Sequence, residues 1–298
     1  MNASVKLLES VLPASAALKV TIPDGHPSAS ILGTERMGSG TLIDRNGVLL
    51  TANYVVVGAS SIEVTLIDGT TFPGEVVAQD YYSGIAAVRV PPQGLPVAAP
   101  NRRPLAAGDE VFIVAAVNGN ERRVNAGCVS AIVPFDAYWE YHLDRSILTT
   151  AMNPGLGGGA LYTLAGGLAG IVSLDLGEIG KFTLAIPSEL FFDHDAELLR
   201  HGYRTTRPAR AWVGFFCYEL QHHIVVGGVL PGAPGERAGI RPGDVILSID
   251  GERIRERKML YRRLWAHRPG ELVNFEVFRD SNVQQVAVEA GNAEMFFA

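Results

Sequence analysis

The chain has 298 residues, enough for two or three domains that each bury a core; 47% of its residues are apolar and 19% are charged. Its formal net charge of −6 argues against a dedicated binder of nucleic acid or of anionic membranes, because both surfaces repel a negatively charged protein. We therefore expect no nucleic-acid partner.

Residues 1–30 are predicted to form an N-terminal extension. Its apolar stretch is interrupted by Glu9, Pro13 and Lys19, which leaves it too short and too broken for a signal sequence or a membrane span. We expect no membrane segment in the chain and a cytoplasmic location for it as written. A periplasmic or envelope location is expected if a leader has been removed from a longer precursor.

From Ile31 to about Pro187, short runs of β-branched and apolar residues alternate with turn signals, a pattern typical of antiparallel sandwiches and barrels. A proline-rich break at residues 91–104 predicts two consecutive β-domains, residues 31–103 and 104–202. A capped helix over Ser188–Arg200 is predicted to close the second. The predicted strands are 47–52, 62–67, 72–77, 110–116, 123–133, 146–150, 168–174 and 181–186.

A polar linker at residues 203–210 precedes a small third domain, residues 211–298. Its helix is predicted over Arg255–Ala266, with Leu260 and Leu264 one turn apart and therefore on the core side. The predicted strands are 213–220, 224–230, 244–249, 273–278 and 284–288.

Five segments in this order resemble the landmarks of the HtrA (DegP/DegQ) family, chymotrypsin-like serine proteases followed by PDZ domains. They are GSGTLID at 38–44, LTANYVVVGA at 50–59, QDYYSGIAAV at 79–88, NAGCVS at 125–130 and NPGLGGGAL at 153–161. The resemblance implies a mainly β fold, a chymotrypsin-like double β-barrel followed by one PDZ domain that is a partly open barrel with a helix.

The same resemblance places Tyr54, Gly84 and Gly157 at the family's catalytic His, Asp and Ser positions. Acyl transfer needs a nucleophile, a base near neutral pKa and a group that orients the base. Glycine has no side chain to attack with, and a tyrosine with a pKa near 10 is a poor base at neutral pH. We therefore predict a catalytically inactive pseudoprotease, not an enzyme, with an open cleft.

Gly155 and the run Gly157–Gly159 are implied to be a remnant of the family's oxyanion loop, whose backbone N–H groups would accept a carbonyl or an anion. The alternative is a flexible glycine-rich turn. Three consecutive glycines and the bulky Leu156 favour the turn.

Residues 210–215, RAWVGF, resemble the PDZ carboxylate-binding loop, and residues 232–251 match the family's most recognisable PDZ stretch. The resemblance implies that successive N–H groups at Trp212–Gly214 hold a peptide's terminal carboxylate while the edge of Phe215–Leu220 pairs with its backbone. The basic helix is either a solvated face or a selector of acidic peptides. The predicted peptide-binding residues are Arg210, Trp212, Val213, Gly214, Phe215, Arg257, Lys258 and Arg262.

We thus predict a scaffold, regulator or chaperone-like adaptor that binds polypeptide C-termini or unfolded protein, with no cofactor and no metal. The family resemblance implies a homotrimer. Two alternatives stay open, a weakly active or unconventional HtrA-type serine endopeptidase and a metal-binding scaffold. His222 and His223 are predicted to lie in a turn, where neighbouring side chains diverge and chelate one metal poorly.

Overall fold

The computed structural model describes residues 3–92, 94–177 and 180–298. The chain divides into unit 1, Met1–Pro134 with Asp144–Thr205, and unit 2, Phe135–Leu143 with Thr206–Ala298. Residues 1 and 2 of the predicted N-terminal extension lie outside the described residues. Unit 2 is therefore built from two separate stretches of chain.

The first half of unit 1 is a closed barrel of six strands in the order β1-β2-β3-β6-β5-β4. Closure pairs every strand on both sides, so no edge is left open. The strands are β1 Ser15–Thr21, β2 Glu35–Leu42, β3 Val48–Ala52, β4 Ser61–Leu66, β5 Thr71–Asp80 and β6 Ile85–Arg89; the helices are α1 Ala3–Val11, α2 Ala29–Leu32 and α3 Asn53–Val56.

The second half of unit 1 is a closed barrel in the order β10-β11-β12-β9-β8-β7. Its core contains fully buried Val111, Ile113, Leu161 and Val172. The strands are β7 Glu110–Ala116, β8 Arg122–Asp136, β9 His142–Thr149, β10 Ala160–Thr163, β11 Leu168–Asp175 and β12 Thr183–Pro187.

The helix predicted over Ser188–Arg200 is two short helices, α4 Glu189–Phe192 and α5 Asp195–His201. His194, the residue before α5, has a φ of −139° and leaves the helical region, which separates the two. Gly202 lies just past the end of the predicted helix and ends α5 in the left-handed conformation with a φ of 82°, as a helix cap requires.

Unit 2 contains a sheet in the order β13-β14-β15-β17-β18, with β16 paired to β15. Strand β13 therefore lies at one edge of the sheet. Helix α7 buries Leu260 and Leu264 completely, in the same core cluster as Phe215 and Phe275, which confirms its predicted core side. The elements are β13 Phe215–Leu220, β14 His223–Val229, α6 Pro234–Ala238, β15 Val245–Ile249, β16 Glu252–Arg253, α7 Arg257–Leu264, β17 Leu272–Arg279, β18 Asn282–Glu289 and α8 Ala293–Phe296.

Two consecutive barrels followed by an α+β unit confirm the predicted fold class. The division of the chain differs from the predicted boundaries in two places. Strand β1 lies inside the predicted extension of residues 1–30, and residues 135–143 of the predicted second barrel belong to unit 2. In the described part of the chain, every helix is too short or too polar to cross a membrane.

A buried ion pair joins β17 to the start of β15 in unit 2. Arg279 Nε and Nη2 donate to the two carboxylate oxygens of Asp244, both at 2.6 Å, and the Asp244 side chain is 1% exposed. Asp244 also accepts the N–H of Arg241, and Arg279 donates to the carbonyl of Gly239. The pair thus fixes the loop before β15.

We expect Asp244→Ala to lower the free energy of unfolding of unit 2 by about 3–5 kcal/mol, because it leaves the largely buried Arg279 charge without a carboxylate partner. The matched control is Glu252→Ala, which breaks the exposed 3.1 Å pair with Arg263 and should cost less than about 1 kcal/mol. All three tryptophans, Trp139, Trp212 and Trp265, lie in unit 2, so their fluorescence during urea unfolding reports on this unit. Equal losses of unfolding free energy in Asp244→Ala and Glu252→Ala would contradict the expectation.

Candidate functional site

Tyr54 lies in α3, directly after the buried strand β3. Its hydroxyl donates a 2.9 Å hydrogen bond to the carbonyl of Ser173 in β11. Burial raises the pKa of Tyr54 to about 12, so the hydroxyl keeps its proton at neutral pH and acts as a donor. Tyr54 therefore links the two barrels of unit 1.

Gly157 lies against Tyr54. A Cβ added at Gly157 would overlap the Tyr54 hydroxyl, so the ring and the missing side chain fill the same space. The carbonyl of Gly157 also accepts the N–H of Ser39 at 2.7 Å, which joins this loop to β2. The expected open cleft is therefore absent at this point, because Tyr54 occupies it.

Three backbone donors of the glycine-rich loop are paired within the protein. The N–H groups of Gly155, Leu156 and Gly158 donate to Asn153 Oδ1 at 3.3 Å, to the Ala116 carbonyl at 2.8 Å and to the Val172 carbonyl at 2.8 Å. Donors paired in this way are not free to receive a carbonyl or an anion. The geometry favours the turn alternative over a remnant oxyanion loop at Gly155.

Gly84 lies in the tight turn between β5 and β6. Its φ is 78°, which strains any residue with a side chain, and its N–H donates to the Asp80 carbonyl at 2.8 Å. Its own carbonyl accepts the N–H of Asn53 at 2.8 Å, next to Tyr54. Glycine at this position is explained by the turn.

A carboxylate occupies the predicted carboxylate-binding loop in unit 2. Glu140 Oε1 accepts the N–H groups of Val213 at 3.3 Å, Gly214 at 2.5 Å and Phe215 at 3.1 Å, and Oε2 accepts Val213 at 3.0 Å. Three consecutive amides thus converge on one side chain. Burial raises the pKa of the Glu140 carboxyl to about 7, and the three amide hydrogen bonds act in the opposite direction.

The converging amides are displaced by one residue from the predicted Trp212–Gly214. Trp212 exchanges backbone hydrogen bonds with Gly291 at 3.0 and 2.8 Å, so its N–H is committed elsewhere. Its ring packs on Phe296 and Phe297. The Phe215 ring faces the core beside Phe275 rather than the sheet edge, although its N–H belongs to the loop.

The predicted basic residues have different surroundings. The Arg210 guanidinium lies 4.5 Å above the Trp265 ring, and Arg257 donates to the carbonyl of Asp136 at 2.8 Å. Lys258 and Arg262 are exposed on α7. Only these last two present their charge mainly to solvent.

Sequence reasoning missed Glu140. Its neighbours Tyr138, Trp139 and Tyr141 form an unusual aromatic group between β8 and β9, and that group was the one local sign of a packed segment. Its partners are 73 to 75 residues away along the chain, so no spacing pattern connects them.

Across residues 3–92, 94–177 and 180–298, no three His, Cys, Asp or Glu side chains lie together in a way that could hold a metal ion. Gln221 and His222 have φ values of 48° and 62°, so His222 lies in the predicted turn, whereas His223, also predicted to lie there, is the first residue of β14.

Comparison with known proteins identifies both units. Residues 38–171 match a trypsin-like peptidase domain, and residues 206–290 match a PDZ domain. A probable periplasmic serine endoprotease, DegP-like, from Hahella chejuensis is 31% identical over 85% of the chain and 56% of its own length. Putative protease Do-like 14 from Arabidopsis thaliana is 30% identical over 81% of the chain and 62% of its own length. The chain thus spans little more than half of these relatives.

Solved structures agree over nearly the whole chain. The HtrA-type protease AlgW with tripeptide is 27% identical, with a TM-score of 0.59, over 98% of this chain and 97% of that one. AlgW with decapeptide is 26% identical, with a TM-score of 0.57, over 98% and 99%.

These relatives correct one prediction. We predicted that the chain is not an enzyme, and this is contradicted, since the relatives are named as serine endoproteases and proteases. The prediction relied on three positions alone.

We expect Gly157→Ala to lower the stability of unit 1 by about 1–3 kcal/mol, because the new Cβ overlaps the Tyr54 hydroxyl. In a Tyr54→Ala background the same change should cost less, with a coupling energy of about 1 kcal/mol or more. Thermal unfolding followed by circular dichroism measures all four proteins.

Gly25→Ala is the matched control, because a Cβ there meets nothing within 4 Å. If the stability lost in the double variant equals the sum of the losses in Gly157→Ala and Tyr54→Ala, the two positions do not share space.

Proposed function

Because the chain belongs to the HtrA family of trypsin-like peptidases with a PDZ domain, we propose that its PDZ unit binds the free carboxyl termini of polypeptides. The observation that carries this proposal is the convergence of the Val213, Gly214 and Phe215 amides on one carboxylate. Two solved relatives are named with a bound tripeptide and decapeptide, which supports a peptide ligand for this chain.

We assign roles to the candidate residues as follows. The three amides hold the terminal carboxylate, and the edge of β13 pairs with the peptide backbone. Lys258 and Arg262, exposed on α7, attract acidic residues upstream of the terminus. Arg257, on the same helix, donates to the backbone carbonyl of Asp136 and so supports this side of the groove. Arg210 packs on the Trp265 ring.

The setting of this function is proposed from the family. The bacterial relatives are named as periplasmic, so we place the protein in the periplasm rather than in the cytoplasm. Partners would be polypeptide C-termini or unfolded protein, and the assembly would be the homotrimer that the family resemblance implies. By binding those partners in its peptide groove, the PDZ unit would act as a regulator, a scaffold or a chaperone-like adaptor.

We expect a labelled peptide with an apolar C-terminal residue to bind the full chain with an affinity of about micromolar or weaker, and its C-terminally amidated copy to bind much more weakly. The reason is that the amide lacks the negative oxygens that three N–H donors require. Fluorescence anisotropy measures both. Equal affinities would refute carboxylate binding.

The same titration tests whether Lys258 and Arg262 attract acidic residues of the peptide. Acidic residues upstream should improve affinity at low salt, and this gain should fade as the Debye length falls to about 3 Å at 1 M salt. Lys258→Gln with Arg262→Gln should remove the gain without changing the preference for the free carboxylate.

A second candidate function is endopeptidase activity on polypeptides, favoured by the names of the relatives. That Tyr54, Gly84 and Gly157 stand at the triad positions stays a prediction. Under it, the nucleophile would have to be a serine elsewhere in the chain, since glycine offers no attacking atom.

Incubation with unfolded casein and with a serine-reactive fluorophosphonate tests this candidate. If the chain has the endopeptidase activity of its relatives, it should cut casein into fragments. The probe should then label one serine, which peptide mapping would locate. The absence of both after repurification would contradict it.

A further inference from the structure

Residues 137–141 form the turn between β8 and β9, and this turn lies against the edge of the PDZ sheet. Trp139 forms an antiparallel bridge with Phe216, and the N–H of Cys217 donates to the Tyr138 carbonyl at 2.7 Å. The segment therefore runs antiparallel to β13 and reaches the amide loop with Glu140. An extended peptide that adds a strand to a sheet edge uses the same bonds.

Helix α7 holds the same segment from the other side. Tyr261 Oη donates to the Ala137 carbonyl at 2.7 Å, and Arg257 Nη2 donates to the Asp136 carbonyl at 2.8 Å. Tyr261 is 1% exposed, so its bond to Ala137 is shielded from water. Both walls of the groove thus contact the backbone of one segment, as they would contact a bound peptide.

Aromatic packing and a local turn shape the segment. The Tyr138 ring stacks on Tyr218 with centroids 5.4 Å apart, and the N–H of Ala137 donates to the Tyr141 carbonyl at 3.0 Å. His142 and Asp136 close the base of this turn through a 2.5 Å bond. The turn presents Glu140 to the amide loop, so a side-chain carboxylate can stand where a chain end would.

We propose that the segment Ala137–Tyr141 is an internal ligand of the PDZ groove, which external C-terminal peptides must displace in order to bind. This inference rests on the peptide-binding function proposed above and names its regulation. The Glu140 carboxylate takes the place of a terminal carboxylate, and the paired backbone of Tyr138 takes the place of the residues before it.

Displacement is chemically reasonable at neutral pH. Burial raises the pKa of the Glu140 carboxyl from its usual 4.5 to about 7, and the same burial would raise the pKa of a bound peptide α-carboxyl, which starts lower, at about 3.5. The incoming group should therefore be the more fully ionised acceptor for the three amides. The internal segment has the advantage of being tethered, which raises its effective concentration at the groove.

A groove that is mostly occupied binds an external ligand with an apparent affinity reduced by the fraction that is open. Glu140→Ala removes the internal carboxylate and should tighten the binding of the free-carboxylate peptide by about tenfold or more. The matched control is Glu289→Gln, an exposed glutamate in β18, which should leave the affinity unchanged. Anisotropy titrations of the full chain measure all three proteins against the peptide and its amidated copy.

A second measurement uses the unaltered protein and does not depend on how the variant folds. Chymotrypsin cleaves after aromatic residues; in the docked segment Tyr141 is buried and Trp139 is half-buried, whereas Tyr138 is exposed. Saturating free-carboxylate peptide should speed cleavage after Trp139 and Tyr141 severalfold, as mapped by mass spectrometry, while the amidated copy should not.

The outcomes separate the two proposals. Tighter binding by Glu140→Ala together with peptide-dependent cleavage supports the internal ligand. Equal affinity of Glu140→Ala and the unaltered chain, with the carboxylate preference kept, overturns the internal ligand alone; cleavage that peptide leaves unchanged overturns it as well. Loss of the carboxylate preference in Glu140→Ala itself overturns the peptide-binding function and the internal ligand together.

Discussion

Backbone N–H groups that point to one place and are withdrawn from water need an acceptor, and unit 2 is organised around this need. The amides of Val213, Gly214 and Phe215 lie at the start of an edge strand, and a charged oxygen is the acceptor that satisfies all three at once. The antiparallel bridge of Trp139 to β13, the contacts of α7 with residues 136 and 137, and the turn at Glu140 all serve to bring that oxygen into place. A peptide end and the Glu140 side chain are two solutions to the same requirement.

Unit 1 meets the corresponding need in another way. Its glycine-rich loop pairs the amides of Gly155, Leu156 and Gly158 with acceptors close at hand, and Tyr54 closes the space beside Gly157. The two loops therefore differ in a physical sense. In unit 1 the acceptors of these three amides come from nearby backbone and from Asn153, whereas the loop of unit 2 depends on a carboxylate that comes from a distant part of the chain.

Much of the fold was predictable because its signals are local. Strands rich in Val and Ile between glycine turns, the Gly202 cap and the core face of α7 at Leu260 and Leu264 depend on neighbours within a few residues. Strand β1 was missed since its sequence SAALKVT contains few β-branched residues. The contacts of Tyr54 with Gly157 and of Glu140 with Val213 join residues far apart in the chain, so only the folded arrangement reveals them.

The discontinuous make-up of unit 2 has a practical consequence for anyone who divides the chain at a domain border. A fragment that starts at residue 206 keeps the sheet but loses residues 135–143, and with them the pairing of β13. Its bare edge would present unpaired N–H and C=O groups together with exposed Tyr218 and Leu220, the arrangement through which sheets of separate molecules join. Such a fragment should self-associate as its concentration rises, and an added peptide should return it to single molecules.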